Sequence, residues 1–247
     1  MAEFDVVVLG AGPGGYVAAI RAAQLGQKVA IIEKEYWGGV CLNIGCIPSK
    51  SLLRNADLAH ILRERGDDFG FSFDNLKLDY GAAVKRSREV SDRLVKGVQF
   101  LMKKNKIEVF EGTGFINDKS TVEVTLNAGG TQELKTRNLI IATGAHPFVL
   151  PGVEVDGERV LTYKEAILQE KLPKSVVIIG AGAIGVEFAT IWNSYGVDVT
   201  IVEMLDGLVP REDPEVSKEL GKAFTKKGIT IKTGAKVTGI ETLKTKA

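Results

Sequence analysis

The chain has 247 residues, and its 32 Lys and Arg against 31 Asp and Glu leave a formal net charge of only +1. This balance excludes the broad positive surface typical of a nucleic-acid-binding protein, and a hydrophobic content of 45% excludes a disordered chain. The longest apolar stretch, residues 176–186, is too short and too rich in glycine for a membrane span, and the N-terminus lacks the basic residues of a signal peptide, so we expect a soluble, cytoplasmic protein.

A strand, a helix and a second strand are predicted within residues 5–33. Residues 6–9 are branched and apolar without alternation, which is typical of a strand buried in a parallel sheet. A glycine-rich turn follows, and then a helix of about 11 residues that ends at Gly26. The second strand, residues 29–32, is followed by Glu33. The whole segment therefore has the pattern of a βαβ motif.

The pattern changes after this motif. Residues 49–65 and 80–106 carry apolar positions at helical spacing and predict two helices. Residues 107–141 alternate with a period of two around a glycine-rich turn, which predicts a small antiparallel meander. The connector that follows is expected to be non-helical because it contains the prolines Pro147, Pro151 and Pro173. We therefore place a domain boundary near residue 149.

The second half of the chain begins with a repeat of the first motif. Residues 175–203 repeat residues 5–33 at a constant offset of 170 positions, and 11 of the 29 aligned residues are identical. Residues 176–179 are therefore also expected to form a buried parallel strand. Two copies at this distance indicate two βαβ motifs rather than a solenoid. We predict an α/β chain with two Rossmann-like dinucleotide-binding units built on three-layer parallel sheets, the first in residues 1–148 and the second in residues 149–247.

Each copy contains a turn suited to binding a pyrophosphate. The first glycine permits a tight turn, the second lets backbone N–H groups approach the phosphates, and the third lets the helix pack closely on the strand. The N–H groups and the helix dipole favour an anion. An acid 23 positions after the first glycine can accept hydrogen bonds from ribose hydroxyls. The predicted sites consist of Gly10, Gly12, Gly15 and Glu33 in the first copy and of Gly180, Gly182, Gly185 and Glu203 in the second.

The acids also bear on which dinucleotide binds. A carboxylate at Glu203 would repel a 2′-phosphate, and no arginine follows at residues 204–206 to receive one. The second site is therefore expected to prefer NAD to NADP. The first copy is followed by a long insertion and suits a flavin dinucleotide, a choice that the spacing alone leaves open.

Cys41 and Cys46 are the only cysteines and lie just after the first acid. In a regular helix five residues rise about 7.5 Å, more than the usual Cα separation of about 4.4–6.8 Å in a disulfide, so the pair must straddle a distorted loop-to-helix junction. A thiol at a helix N-terminus is reactive, whereas two inert buried thiols are the ordinary alternative. His60 and His146 lack ligand spacing, so no zinc or other metal site is predicted.

Three sequence features together resemble the flavin-dependent pyridine nucleotide–disulfide oxidoreductases: the segment GGVCLNIGCIPSK, the paired turns GAGPGG and GAGAIG, and the run IIATGA. The resemblance covers all 247 residues and is closest to the branch of that family that oxidises dihydrolipoamide. It implies FAD in the first unit, NAD in the second and a redox-active disulfide between Cys41 and Cys46.

The resemblance also implies roles for individual residues. Cys41 would exchange with the dithiol substrate, and Cys46 would face the flavin as the charge-transfer thiolate. Lys50 matches a lysine near the flavin ring, and Glu187 matches a glutamate beside the nicotinamide. Val237 is implied to contact the adenosine of NAD. Further contacts with FAD are implied at Gly39, Val40, Gly114, Thr143 and Gly144.

Members of that family are nearly twice as long as this chain. Their second half supplies a further FAD segment and a C-terminal interface domain, whose His–Glu acid–base dyad comes from the partner subunit of a homodimer. We therefore expect a fragment or a truncated relative without the interface domain. The implied partner is a dihydrolipoyl group on a 2-oxo acid dehydrogenase or glycine cleavage complex. Two alternatives stay open: a disulfide reductase similar to glutathione or mercuric reductase, and a noncatalytic dinucleotide-binding fragment.

Overall fold

The computed structural model describes residues 2–241. These residues form two compact units. Unit 1 contains residues 2–48 and 88–146, and unit 2 contains residues 49–87 together with the described residues from 147 onward. The chain therefore passes from unit 1 to unit 2 near residue 149, where a boundary was expected. Residues 49–87 also belong to unit 2, so unit 1 is discontinuous in sequence. The assignment of FAD to residues 1–148 and of NAD to residues 149–247 stays a prediction.

The first copy of the repeat folds as a parallel βαβ motif. It consists of β1 (Ala2–Leu9), α1 (Pro13–Gln24) and β2 (Val29–Glu33). The two strands pair in parallel register from Val6 with Val29 onward. The helix ends, as predicted, just before Gly26, whose φ of 83° lies in the left-handed region that glycine adopts without strain.

Unit 1 closes into a five-stranded barrel. Its remaining strands are β3 (Glu108–Asp118), β4 (Thr121–Leu126) and β5 (Thr131–Ile141), and the order around the barrel is β1-β2-β3-β4-β5. β3 is parallel to β2 and antiparallel to β4, while β5 is antiparallel to β4 and parallel to β1. The predicted antiparallel meander is present as β3, β4 and β5. It is continuous with the parallel strands, because β3 also pairs with β2 and β5 also pairs with β1.

The second half of β1 is apolar on both faces because both faces are covered. Val7 and Leu9 point into a cluster that the meander completes with Val122, Val124 and Leu134. Val6 and Val8 point to the other face of the strand. They belong to a second cluster with Ala19 of α1 and with Val98 and Met102, which lie in a long helix. This double burial explains why the strand sequence shows no alternation.

The two helices predicted between the copies are present. They are α3 (Cys46–Glu64) and α4 (Tyr80–Lys104), and a five-residue helix, α2 (Gly39–Asn43), precedes them. A short 3₁₀ turn, Asp67–Phe69, lies between α3 and α4. None of the helices within residues 2–241 has both the length and the apolar character needed to cross a membrane.

The connector after unit 1 contains one helical turn, so its prediction as wholly non-helical was wrong. α5 (Tyr163–Ala166) begins at Thr162, whose hydroxyl accepts the N–H of Lys164. The Glu165 carboxylate in turn accepts the N–H of Thr162 at 2.8 Å. This capping box satisfies the first N–H groups of the turn. Its sequence, Thr-x-x-Glu at residues 162–165, is the signal that the prediction from the prolines missed.

Unit 2 contains the second copy of the repeat. Its three parallel strands, in the order β6-β7-β8, are β6 (Ser175–Ile179), β7 (Asp198–Val202) and β8 (Thr230–Lys232). α6 (Ala183–Ser194) joins β6 to β7, and α7 (Pro214–Lys226) joins β7 to β8. The helix α7 begins at Asp213, whose side chain accepts the N–H of Glu215 at 2.7 Å.

The prediction that residues 176–179 form a buried strand was wrong. Val177 is 62% exposed and Ile179 is 42% exposed, whereas their counterparts in the first copy, Val7 and Leu9, are 0% and 5% exposed. Among the described residues β6 pairs only with β7, so it is an edge strand. The strand is apolar throughout in both copies, whereas the number of neighbouring strands differs.

Aromatic side chains connect α4 to α6 within unit 2. The Trp192 indole N–H donates to the Tyr80 hydroxyl at 3.3 Å, and the rings of Tyr80 and Tyr195 meet edge to face at 5.0 Å. Burial raises the pKa of Tyr80 to about 12. These contacts bring the first turn of α4 against the last turn of α6.

We expect Gly15→Ala to destabilise unit 1. A Cβ at Gly15 would lie 1.8 Å from the carbonyl oxygen of Gly10, so the helix would have to move away from the strand. Overpacking of this kind costs about 3 kcal/mol. The adjacent Gly14→Ala is the matched control, because its Cβ would lie 3.9 Å from its nearest neighbour. Urea unfolding of both variants tests the prediction, which equal midpoints would contradict.

Candidate functional site

The first glycine turn, residues 10–15, connects β1 to α1. Gly10 has a φ of 93°, and its N–H donates to the Ile32 carbonyl at 2.8 Å. Gly12 is the N-cap of α1, and Pro13 occupies the first helical position. A Cβ at Gly15 would collide with Gly10, which makes the third glycine obligatory for the close approach of helix and strand.

The acid at the end of β2 holds the first turn. One Glu33 carboxylate oxygen accepts the N–H of Ala11 at 2.7 Å, and the other accepts the N–H groups of Glu35 at 2.8 Å and Tyr36 at 3.0 Å. Ala11 is fully buried, so its N–H needs this protein partner. A carboxylate has about four acceptor positions, which leaves Glu33 able to accept a further hydrogen bond from a ligand hydroxyl.

The second glycine turn, residues 180–185, repeats most of these hydrogen bonds. Gly180 has a φ of 102° and donates to the Val202 carbonyl at 2.8 Å. Glu203 accepts the N–H of Ala181 at 2.7 Å through one oxygen and that of Leu205 at 2.9 Å through the other. A Cβ at Gly185 would lie 2.1 Å from the Gly180 carbonyl oxygen. The sequence repeat is therefore a repeat of geometry.

Both turns fit a diphosphate group. The helices α5 and α7 begin at side chains that accept their first N–H groups, Thr162 and Asp213. The helices α1 and α6 instead begin at Gly12 and Gly182, and no side chain of residues 2–241 caps them. A Cβ at Gly182 would have no neighbour within 4 Å, so protein packing does not explain the glycine. Uncapped N–H groups beside open space are what a phosphate needs.

The cysteine segment lies on the first turn. The Gly38 N–H donates to the Ala11 carbonyl at 2.9 Å. A Cβ at Gly39 would lie 2.5 Å from the Cα of Gly12, so the two backbones touch and only glycine fits. α2 begins at this contact and contains Cys41, which is half-buried. The geometry therefore joins two motifs that the sequence treated separately.

Cys41 and Cys46 flank a break between two helices, as their spacing required. Cys46 is exposed and is the first residue of α3, while Cys41 belongs to α2. A Cβ at Gly45 would lie 2.9 Å from the Val40 carbonyl oxygen and 3.2 Å from the Cα of Cys41. The chain thus folds back on Cys41 just before Cys46. The disulfide itself stays a prediction, as does cofactor contact by Val40.

Two further segments predicted to contact FAD lie on different sides of β1. The carbonyl of Ala142, next to Thr143, faces Gly10, where a Cβ would lie 2.3 Å from its oxygen. Thr143 and Gly144 are exposed there, beside the first turn. Gly114 instead faces the barrel interior, where a Cβ would lie 2.5 Å from the Leu9 side chain. Packing alone accounts for Gly114, and its predicted cofactor role has no support from this position.

Lys50 and Glu187 form an ion pair at 2.5 Å within unit 2. The Lys50 side chain is 60% exposed and that of Glu187 is 27% exposed. The resemblance implies roles for them at different cofactors, FAD and NAD, and no sequence pattern indicates that they meet. The contact joins the second turns of α3 and α6.

Val237 lies in an irregular segment after β8 and is half-buried. This segment returns to the second turn, because Ala235 donates its N–H to the Glu203 carbonyl at 3.0 Å. Sequence reasoning missed Asn43, whose side-chain amide donates to the carbonyls of Trp37 and Gly39, each at 2.9 Å, and so fixes α2. An asparagine at the end of a five-residue helix offers no sequence signal for this.

The comparisons with known proteins agree with this geometry. The profile of the pyridine nucleotide-disulphide oxidoreductase family matches residues 4–247. The dihydrolipoyl dehydrogenase of Mycobacterium bovis is 56% identical over 240 residues, which are 97% of this chain and 51% of that protein. That of Corynebacterium glutamicum is 52% identical over 238 residues, covering 96% of this chain and 50% of that protein. The chain spans about half the length of these curated relatives.

Solved structures show the same fold. LpdA from Mycobacterium tuberculosis superimposes with a TM-score of 0.88 at 27% identity, over 97% of this chain and 52% of its own. RclA from Escherichia coli, a flavoprotein disulfide reductase, gives a TM-score of 0.85 at 27% identity, over 99% and 52%. The fold is thus the α/β fold of flavin disulfide reductases. The chain belongs to the pyridine nucleotide-disulphide oxidoreductase family.

We expect Glu203→Ala to destabilise unit 2 even without a ligand. Ala181 is fully buried, and the substitution leaves its N–H without an acceptor, at a cost of about 1–3 kcal/mol. Glu203→Gln keeps an acceptor and should lose less. Thermal unfolding of the apoprotein measures the difference. Equal melting temperatures for all three forms would contradict the role of this carboxylate in holding the turn.

Proposed function

We propose that the chain is the dinucleotide- and disulfide-bearing half of a dihydrolipoamide dehydrogenase, with FAD at the first turn and NAD at the second. The contact of Gly39 with Gly12 carries this proposal, because it brings the cysteine segment onto the first phosphate-binding turn. A cofactor bound at that turn would lie next to the thiols. The names of the curated relatives support the same activity.

The residues of unit 1 can hold FAD in a defined way. The uncapped N–H groups at the start of α1 would bind the pyrophosphate, and Glu33 would accept a ribose hydroxyl. Thr143 and Gly144 are exposed beside the same turn and would extend the site. When bound, FAD supplies two-electron chemistry between a dithiol and NAD. Lys50 would approach the flavin ring, as the resemblance implies.

The thiols would react with the substrate by exchange. One dihydrolipoyl thiolate attacks the sulfur of Cys41, the Cys41–Cys46 bond breaks, and Cys46 leaves as a thiolate. The second substrate thiolate then attacks the mixed disulfide and releases Cys41. The substrate departs as the cyclic disulfide, and the protein holds two reduced cysteines.

The proton of the substrate thiol would go to a base outside these 247 residues. The resemblance implies a His–Glu dyad of the partner subunit. His60 is engaged with Glu64 at 3.2 Å, and His146 is exposed at the end of unit 1. Neither matches the family's base in sequence position. The lipoyl group would be carried by a 2-oxo acid dehydrogenase or glycine cleavage complex, and the whole enzyme would be a homodimer.

The alternative of another disulfide reductase has weaker support. RclA, the reductase among the solved structures described above, is 27% identical, against 56% for the dihydrolipoyl dehydrogenase of M. bovis. Glutathione and mercuric reductases are also expected to use NADP, which Glu203 disfavours.

Oxidised protein supplied with FAD should contain a Cys41–Cys46 disulfide that dihydrolipoamide reduces. Peptide mass mapping after alkylation should find the bridged peptides before reduction and two alkylated cysteines after it. Cys41→Ser is the control and should show no bridge. Two freely alkylated cysteines in the oxidised protein would refute the proposal, and efficient reduction by glutathione would favour the alternative reductase.

NADH should bind more tightly than NADPH, because the Glu203 carboxylate accepts hydrogen bonds from the ribose and repels a 2′-phosphate. A hydrogen bond to a charged group contributes about 1.5–3 kcal/mol, so Glu203→Ala should weaken NADH binding about tenfold or more. Titration calorimetry with both nucleotides measures the preference. Equal or tighter binding of NADPH to the unaltered chain would overturn it.

A further inference from the structure

We infer that Arg63, at the end of α3, is a positioning residue for the NAD site: it holds the carboxyl end of α6, the helix whose amino end forms the second glycine turn. The inference rests on the proposed function, since NAD is the ligand that α6 would bind. No sequence motif singles out this arginine.

Arg63 reaches the last carbonyl groups of α6 directly. Its Nη1 donates to the Ser194 carbonyl at 2.9 Å and lies 3.5 Å from that of Asn193. The carbonyls of a last helical turn have no partner within the helix and form the negative end of its dipole. A guanidinium in this position donates hydrogen bonds to these carbonyls and places a positive charge at the negative end of the dipole. Arg63 therefore acts as a C-terminal cap provided by another helix.

The repeat explains why α6 needs a cap from outside. Its counterpart α1 carries Arg21 in its own last turn, and this residue is exposed. The position 170 residues later is Ile191, which is 0% exposed. Trp192 and Ser194 are also buried, and α6 has no basic residue in its last turn. The last turn of α6 is thus packed against neighbours that leave no room for a cation of its own.

The turn after α6 is shaped to admit the guanidinium. Gly196 and its counterpart Gly26 have φ values of 90° and 83°, so both end their helices in the left-handed region. A Cβ at Gly26 would have no neighbour within 4 Å, whereas at Gly196 it would lie 3.4 Å from Arg63. The second copy therefore uses the same turn but has the arginine packed against it.

Arg63 and Lys50 make polar contacts near opposite ends of the contact between α3 and α6. Lys50 pairs with Glu187 near the start of both helices, and the Asn55 side chain hydrogen-bonds to Tyr195. Lys50 and Arg63 are separated by about 20 Å along α3 at 1.5 Å per residue. Attachment at two distant points fixes both the register and the rotation of α6. Loss of Arg63 would let the carboxyl end of α6 move, and with it Glu187 and the turn.

The experiment compares three variants of the full 247-residue chain. Arg63→Met removes the charge and the donors but keeps an apolar stem, and Arg63→Lys keeps the charge with one donor group. Arg65→Met is the matched control, since Arg65 lies two residues on and pairs with Asp68 at 2.9 Å. Two quantities are measured: hydrogen exchange of the α6 amides and the Kd for NAD by calorimetry.

For Arg63→Met we expect α6 amides to exchange about three- to tenfold faster, the size of a lost cation at a helix end, and the Kd for NAD to rise about threefold. Arg63→Lys should recover much of both changes. Arg65→Met should alter neither.

The outcomes separate this inference from the proposed function. If the unaltered chain binds NAD and Arg63→Met binds it equally well, Arg63 has no positioning role and the proposed function stands. If exchange rises throughout unit 2 rather than in α6, Arg63 contributes only general stability and the inference is overturned. If the unaltered chain does not bind NAD, the proposal that the second turn binds NAD fails. If Arg63→Met also leaves the exchange of the α6 amides unchanged, the inference about Arg63 is overturned as well.

Discussion

The close approach of a helix to the strand before it is the constraint on which the rest of this structure depends. In both copies the third glycine of the turn touches the carbonyl of the first, so closely that a Cβ would lie 1.8 Å from the oxygen at Gly15 and 2.1 Å at Gly185. This contact aims the start of the helix along the strand and leaves its first N–H groups uncapped. It also buries Ala11 and Ala181, whose N–H groups then require the two glutamates as acceptors.

The surroundings of the two turns differ even though the turns match. The first has the cysteine segment packed against it, and its strand is enclosed by a barrel. The second is open at Gly182, and its strand is an edge strand with Val177 62% exposed. A turn in contact with the cysteine segment suits the resident redox cofactor that we propose there, whereas an open turn suits a nucleotide that must enter and leave. The proposed assignment of FAD and NAD therefore rests on the neighbours of each turn rather than on its glycines.

Local features of the fold were predictable from the sequence, and features that depend on distant pairing were not. Both βαβ motifs, the helices α3 and α4 and the break at Cys41 and Cys46 follow from short-range pattern and turn chemistry. Closure of the barrel depends on β3 and β5 each changing partner along their length, which no periodicity reveals. The burial of residues 176–179 was mispredicted for the same reason, because an apolar sequence does not indicate how many strands pair with a given strand. The pairing of Lys50 with Glu187 joins residues 137 positions apart and needed the structure.

Stability and cofactor preference are coupled at the acid that ends the second strand of each motif. Glu203 accepts N–H groups of the protein through both oxygens, so its carboxylate is held in place before any nucleotide arrives. A site organised in advance spends less binding energy on ordering itself. The same negative charge disfavours a 2′-phosphate. Replacing Glu203 to admit NADP would remove the acceptor of a buried N–H as well as the charge, and a new cation alone would not restore it. The proposed preference for NAD would therefore follow from a residue that already accepts a buried N–H of the turn.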